Sequence, residues 1–372
     1  MTSRRSFLAA VGGTAAAGLL PPPRAQAQAP PPPSLPPVPR VNGGINIQPA
    51  RLLDPAATPD TPGLDPAVVD ALLATAYGLG FAQARIPISW NRFGHDFFAS
   101  IPYVRACRAL GLDVLCVLTQ ATGLDFAQAL SQPGVRTPLL RAYLQIFASD
   151  VAPAPGVSSA GRVAFQILNE PVHSLGVAPN VYLRRLLAPT YLALKNEAPE
   201  LAVVAAAEVG TPEGVLRVRT LLETGLEDLC DEVAYHVYDP RVIPLLAGLA
   251  RKPVRVTETG ADGPAQHRAW VEEVVPRIAR EIAGVAEIDL YVLYDGAPGR
   301  YQLVDLARDP DGSVRVVAES DALLALYVER VAAATQGATT SAYRDLVPDV
   351  TVYFPTAADA EAAAAVPPLA FP

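Results

Sequence analysis

Eight short, β-branched apolar runs alternate with helical patterns along most of this chain, and that rhythm constrains its fold more than any other feature. The runs are residues 44–47, 82–88, 113–118, 162–168, 201–206, 232–237, 253–257 and 288–293. Amphipathic stretches lie between them. One opens with Asp65-Pro66, an N-cap followed by proline at the first helical position, and continues Val68, Val69, Leu72, Leu73, Ala76 at helical spacing. Others cover 182–198, where Pro189 predicts a kink, then 265–283 and 321–334. Strands alternating with helices predict parallel βα units. A doubly wound sheet would carry a glycine-rich phosphate turn after its first strand, but residues 43–49 read Gly-Gly-Ile-Asn-Ile-Gln-Pro. A (β/α)8 TIM barrel needs about 250 residues. Residues 41–336 supply them, leaving 337–372 as a short C-terminal extension packed on the barrel or partly disordered.

Composition agrees with a globular reading. The 372 residues are 51% apolar and 18% charged, enough apolar material for a sizeable core. The formal net charge is −8, and no Lys/Arg cluster stands outside the first 27 residues, so nucleic acid is not an expected partner. The four histidines, His95, His173, His236 and His267, show no zinc-site spacing. No metal or other cofactor is expected.

The N-terminus has the form of an export signal. Ser3-Arg4-Arg5-Ser6-Phe7-Leu8 is followed by a weakly apolar Ala/Gly/Leu stretch to Leu20 and by Ala25-Gln26-Ala27, a small-x-small cleavage site. The apolar part is too short and glycine-rich to span a bilayer, so no stable membrane insertion is expected once it is removed. The paired arginines resemble a twin-arginine (Tat) signal, which implies transient contact with that export machinery and a periplasmic or extracellular destination. Residues 28–40 are proline-rich and predict an extended linker. Cys107, Cys116 and Cys230 are odd in number and sit in apolar contexts, which predicts buried thiols.

The active face of such a barrel lies at the C-terminal ends of its strands. The residues expected there are Gln48; Arg85, Ser89 and Trp90; Thr119 and Gln120; Asn169 and Glu170; Glu208; His236 and Tyr238; Glu258; Tyr294 and Asp295. The set is polar, acidic and aromatic, as a carbohydrate cleft requires. Glu170 and Glu258 each end an apolar run, an unfavourable place for an isolated charge. On strands 4 and 7, at opposing sides of the barrel, they can meet across its mouth. Retaining glycoside hydrolysis needs such a pair, about 5–5.5 Å apart.

Asn169-Glu170-Pro171 after strand 4 and Glu258 ending strand 7 resemble glycoside hydrolase clan A, the superfamily of the family 5 cellulases and their relatives. The resemblance covers most of 41–336. It implies an O-glycosyl hydrolase acting on an oligo- or polysaccharide, with Glu170 as acid/base, Glu258 as nucleophile and Asn169 bonded to the sugar 2-hydroxyl. His236-Val237-Tyr238 is similar to the clan's strand-6 His-x-Tyr, in which the tyrosine donates to the nucleophile. Arg85 looks like the strand-2 arginine beneath it, whose charge favours the ionised carboxylate.

The chain departs from that pattern where the clan often has a strand-8 tryptophan under the −1 sugar. Residues 291–295 read Tyr-Val-Leu-Tyr-Asp, which leaves Tyr294 as the substitute. Of the two tryptophans, Trp90 is expected in the cleft and Trp270 in packing. So few aromatics favour a short or soluble glycan over a crystalline one. Glu208 is a third acid, either ligand-binding or structural, and His173 reads as a loop histidine. The rival to an enzyme is a non-catalytic carbohydrate-binding TIM barrel. A metal hydrolase built on Glu170, Glu258 and His236 is a weaker third reading, since it lacks further histidines.

Overall fold

The structure is a computed structural model that describes residues 41–47, 65–89, 103–119, 151–294, 301–318 and 321–334. The leader, the proline-rich linker, Gln48, Trp90, Gln120, Asp295 and the extension 337–372 lie outside the described residues.

All eight expected strands are present. They are β1 (Val41–Ile47), β2 (Phe81–Ser89), β3 (Asp113–Thr119), β4 (Val163–Ile167), β5 (Ala202–Val204), β6 (Val233–Val237), β7 (Val254–Thr259) and β8 (Val285–Tyr294). They form one parallel sheet in the order β5-β4-β3-β2-β1-β8-β7-β6. Between β5 and β6 the sheet closes through a single bridge, Val204 to Glu232, with Ala205 N–H donating to Glu232 O at 3.0 Å. The molecule is a (β/α)8 barrel.

Helices α1 (Pro66–Gly78), α2 (Pro171–Leu175), α3 (179–197), α4 (Pro212–Glu223), α5 (264–281) and α6 (Asp321–Ala334) accompany the strands. The Asp65 cap is as expected: its carboxylate accepts from Ala67 N–H at 3.1 Å with Pro66 next in line. At Pro189, α3 accommodates the ring by widening the preceding turn, Tyr182–Leu187, to π geometry, and α5 does the same at Trp270–Val274 ahead of Pro276. Features that the sequence reading did not contain include α2, which takes in His173; α4, capped by Thr211 with Pro212 at its start; and an antiparallel hairpin, β9 (Val304–Arg308) with β10 (Val314–Ala318), after the barrel. No helix among the described residues is long and apolar enough to cross a membrane.

The main core lies between the strands' outer faces and the helices and includes Ile45, Ile47, Ile86, Phe165, Val256, Ile288 and Tyr327. Trp270 packs there and donates its indole N–H to Thr259 Oγ1 at 3.0 Å. The three cysteines are buried, unpaired thiols, and burial pushes all three up from the ordinary thiol range.

The barrel interior is divided. On the β3–β6 side it is filled by Leu115, Ala164, Ala202, Val204 and Ala234. On the opposite side it is polar. Arg255 bonds Glu232 at 2.7 Å, lies 3.4 Å from Glu287 and donates to Gln83, which in turn donates to Asp289 at 3.1 Å. Gly44 makes room for this layer, because a Cβ there would stand 2.3 Å from Asp289 Oδ1.

Candidate active site

A bulge in β7 aims Glu258 into the barrel. Val254 and Val256 face the outer core and Arg255 faces inward, so strict alternation would send Glu258 outward. The register with β6 instead jumps from Tyr235↔Val256 to His236↔Glu258, which leaves Thr257 as the extra residue. Beyond it the phase is reversed. Glu258 points inward and Thr259 outward to Trp270.

Arg85 lies beneath Glu258 and is almost fully buried. Its guanidinium serves four acceptors: Glu258 Oε1 at 2.6 Å, Asn46 Oδ1 at 2.5 Å, Asn169 Oδ1 at 2.8 Å and Gln166 Oε1 at 3.3 Å. The ion pair is 3% exposed on the arginine side and 8% on the glutamate side, so water screens it little. The other oxygen of Glu258 accepts from the Tyr238 hydroxyl at 2.6 Å. Burial, then the neighbouring Glu258 charge, push the Tyr238 phenol well above its ordinary value, so it remains a donor. Asn46 and Gln166 were not singled out in the sequence. Both are fully buried amides at inward positions, and only knowledge of which strand face turns inward could have flagged them.

Glu170 follows β4 in a turn of unusual backbone. Leu168 (φ 66°) and Glu170 (φ 45°) are the described non-glycine residues with positive φ. Such conformations cost roughly 1–3 kcal/mol each and persist only where surrounding contacts over-determine them. Here Leu168 N–H donates to Leu118 O, Glu170 N–H to Ala207 O, and the Gln166 amide to Leu168 O, each at 3.0 Å. Asn169 Oδ1 accepts from both Arg85 and Gln166, which leaves its amino group for another acceptor.

His236 stands between the two glutamates. Its Nδ1 is 2.9 Å from Glu170 Oε1 and its Nε2 is 3.5 Å from Glu258 Oε1, too far and unaligned for a hydrogen bond. Burial pushes the Glu170 carboxyl up. Hydrogen bonding and charge from His236, with help from Ser174 and His173, outweigh it, and the net position is below the ordinary value. One oxygen of Glu170 and one of Glu258 lie within 4.8 Å of each other. The same trio could offer ligand atoms to a cation. The guanidinium at 2.6 Å from Glu258 opposes a second positive charge there, and the trio lacks the histidines a transition-metal site usually gathers.

The other expected residues divide. Arg85, Asn169, Glu170, His236, Tyr238 and Glu258 are brought together. Tyr294 pairs in register with Ile47 and packs against the outer core, away from the position expected of a platform. Tyr291 is the strand-8 aromatic near Glu258. Its ring lies 5.9 Å from that of Tyr238 and 5.7 Å from that of Tyr301, and Tyr238 and Tyr301 are 5.4 Å apart. Glu208 is buried behind Glu170, and His173 is exposed and 3.1 Å from Arg217.

No family model matches the sequence, and no curated protein matches it closely enough to count as a relative. Solved structures do match in fold. The endo-1,4-β-mannanase of Rhizomucor miehei superposes with a TM-score of 0.53 at 12% identity, covering 81% of this chain and 96% of its own. The endo-β-1,4-mannanase of Thermotoga petrophila gives 0.50 at 14% identity, covering 81% and 78%. The catalytic domain of GH30 xylanase C from Talaromyces cellulolyticus gives 0.50 at 13%, covering 79% and 75%. The likeness to clan A read from the sequence thus holds at the level of the fold: this chain is built on the (β/α)8 barrel of these glycoside hydrolases.

Proposed function

We propose that the protein is an exported retaining glycoside hydrolase in which Glu258 is the nucleophile and Glu170 the acid/base. The observation that carries this reading is that one oxygen of Glu170 lies within 4.8 Å of one oxygen of Glu258. Retention works at about 5–5.5 Å, whereas inversion needs about 6.5–9.5 Å to admit a water. Glu258 attacks the anomeric carbon as Glu170 protonates the departing oxygen. Glu170 then deprotonates the water that releases the sugar. Arg85 and Tyr238 each hold one oxygen of Glu258 and fix the direction in which it points. The free amino group of Asn169 suits the sugar 2-hydroxyl, a contact that strengthens as positive charge develops in the ring. The fold relatives named above act on β-1,4-mannan and xylan, which supports a β-linked oligo- or polysaccharide substrate. The leader supports a periplasmic or extracellular location reached through the Tat machinery.

The test is incubation with 2-deoxy-2-fluoro-β-glycosyl fluorides of glucose, mannose and xylose, followed by peptide mass analysis. The expected result is a covalent sugar on Glu258 and none in Glu258→Ala. Labelling elsewhere, or none across the panel, overturns the reading. One observation favours a non-catalytic carbohydrate-binding barrel: Tyr294, expected as the strand-8 platform, packs against the outer core. Absence of label together with glycan binding would select that second reading.

A further inference from the structure

Glu208, the acid at the exit of strand 5, has no role in the chemistry above, yet it is 1% exposed and lies directly behind the turn that carries Glu170. Its two oxygens are both committed. Oε1 accepts from Val172 N–H at 2.7 Å and Oε2 from His173 N–H at 3.0 Å. These are the first two amides of α2 that can donate, since Pro171 has none. The adjoining residue adds a third tie from the same segment, because Ala207 O accepts from Glu170 N–H at 3.0 Å. At the other end of the turn, Ser174 N–H donates to Glu170 O at 2.7 Å and Ser174 Oγ donates to Glu170 Oε2 at 3.1 Å.

From this geometry we infer that Glu208 is the positioning residue of the acid/base: its carboxylate grips α2 and fixes where the Glu170 side chain meets the leaving group. The argument is one of degrees of freedom. Glu170 has a left-handed backbone that an isolated turn would abandon, and a helix of five residues cannot hold itself together. Burial pushes the Glu208 carboxyl above its ordinary value, and the two helix N-terminal amides that it holds bidentately pull it back and tie it to the turn. It is carried by the buried segment that follows β5, so it fixes the turn to a separate part of the barrel and not merely to itself. Glu208 is thereby accounted for without touching substrate. Its removal should loosen Glu170 while leaving Glu258, held by Arg85 and Tyr238 from other strands, where it is.

This inference rests on Glu170 being the acid/base, and the experiment separates the two. The variants are Glu208→Gln, Glu208→Asp and Glu170→Ala. The probes are phenyl and 2,4-dinitrophenyl β-glycosides of the sugar, among glucose, mannose and xylose, that the wild-type protein cleaves. Dinitrophenolate leaves without protonation and phenolate gains from it. Glu208→Gln presents an NH2 to one of the two amides and is expected to lose about tenfold of kcat/KM on the phenyl glycoside, a part of the 10²–10⁴-fold that general-acid catalysis supplies. On the dinitrophenyl glycoside it should lose less than about threefold by the same reasoning. Glu208→Asp, which keeps the charge, should recover part of the loss. Equal losses on both probes, or none, overturn the inference. Failure of Glu170→Ala to show the same leaving-group dependence overturns the functional reading instead. Amide hydrogen exchange supplies a readout independent of turnover. Val172 and His173 should exchange faster in Glu208→Gln while β7 is unchanged, and unaltered exchange at those two amides also sinks the inference.

Discussion

Arg85 is one charge serving four acceptors from β1, β4, β7 and the turn after β4. Two consequences follow at the scale of the residue. Its planar fork directs donors to separate acceptors, which a lysine ammonium cannot do from one point. Removing it also leaves Glu258 buried without its counter-charge, which typically costs 3–5 kcal/mol. Arg85→Met is therefore expected to lose about 3–5 kcal/mol in urea unfolding. Arg85→Lys should recover part of the stability but little of the activity. A methionine variant within about 1 kcal/mol of wild type would show that the network is not a stabilising one. Arg85 was legible in the sequence as a charge inside an apolar run. Asn46 and Gln166 were not, because a buried amide in a strand carries no local mark of what it bonds.

At the scale of the element, β7 decides the site. Its sequence, Val254-Arg255-Val256-Thr257-Glu258-Thr259, reads as simple alternation, and simple alternation would turn the glutamate to the wrong face. The bulge at Thr257 corrects the phase, and Gly260 lets the strand continue close to β8. A Cβ at Gly260 would lie 2.3 Å from the backbone oxygen of Tyr291, which cannot swing aside as a side chain would. Gly260→Ala is expected to cost about 1–3 kcal/mol, as overpacking does. It should also lower kcat/KM by shifting Glu258 two residues upstream. Thermal unfolding and steady-state kinetics measure the two effects, and a variant unchanged in both would argue that strand 7 has slack. Elements not legible in the sequence have equally plain causes. Thr211-Pro212 is the same cap-proline signal that identified α1, but it precedes a charged, weakly apolar segment. The turn Asp309-Pro310-Asp311-Gly312 marks a hairpin whose strands are too exposed to stand out.

At the scale of the whole molecule, the interior holds a layer of charge that the proposed chemistry does not use. Arg255 is surrounded by Glu232, Glu287 and Asp289, all of them nearly inaccessible. Burial pushes Glu287 well up and raises Asp289 to about 6, against an ordinary 3.8. The sign of the linkage follows. A carboxyl raised in the folded state binds more protons there than in the unfolded chain. Its contribution is fully present below the unfolded value and is lost as pH rises through about 6. The urea midpoint should fall between pH 4 and pH 7. Asp289→Asn, which keeps an oxygen for Gln83 and carries no charge, should flatten that fall and be more stable than wild type near pH 7. A wild-type midpoint that is level or rising over this window would refute the assignment.

Hydrophobic periodicity alone determined the eight strands, their alternation with helices and hence the barrel, because burying strands on both faces demands continuous apolar runs. The strand-end rule then identified Glu170, Glu258, Asn169, Arg85, His236 and Tyr238 as candidates, since charge at such positions is costly without a purpose. Tertiary structure decided what local sequence could not carry. A one-residue bulge and two left-handed residues set where the carboxylates point, and register sent Tyr294 outward while Tyr291 met Tyr238. Those outcomes depend on which strands become neighbours and how they slip past one another. That is a property of the closed barrel, and no single segment contains it.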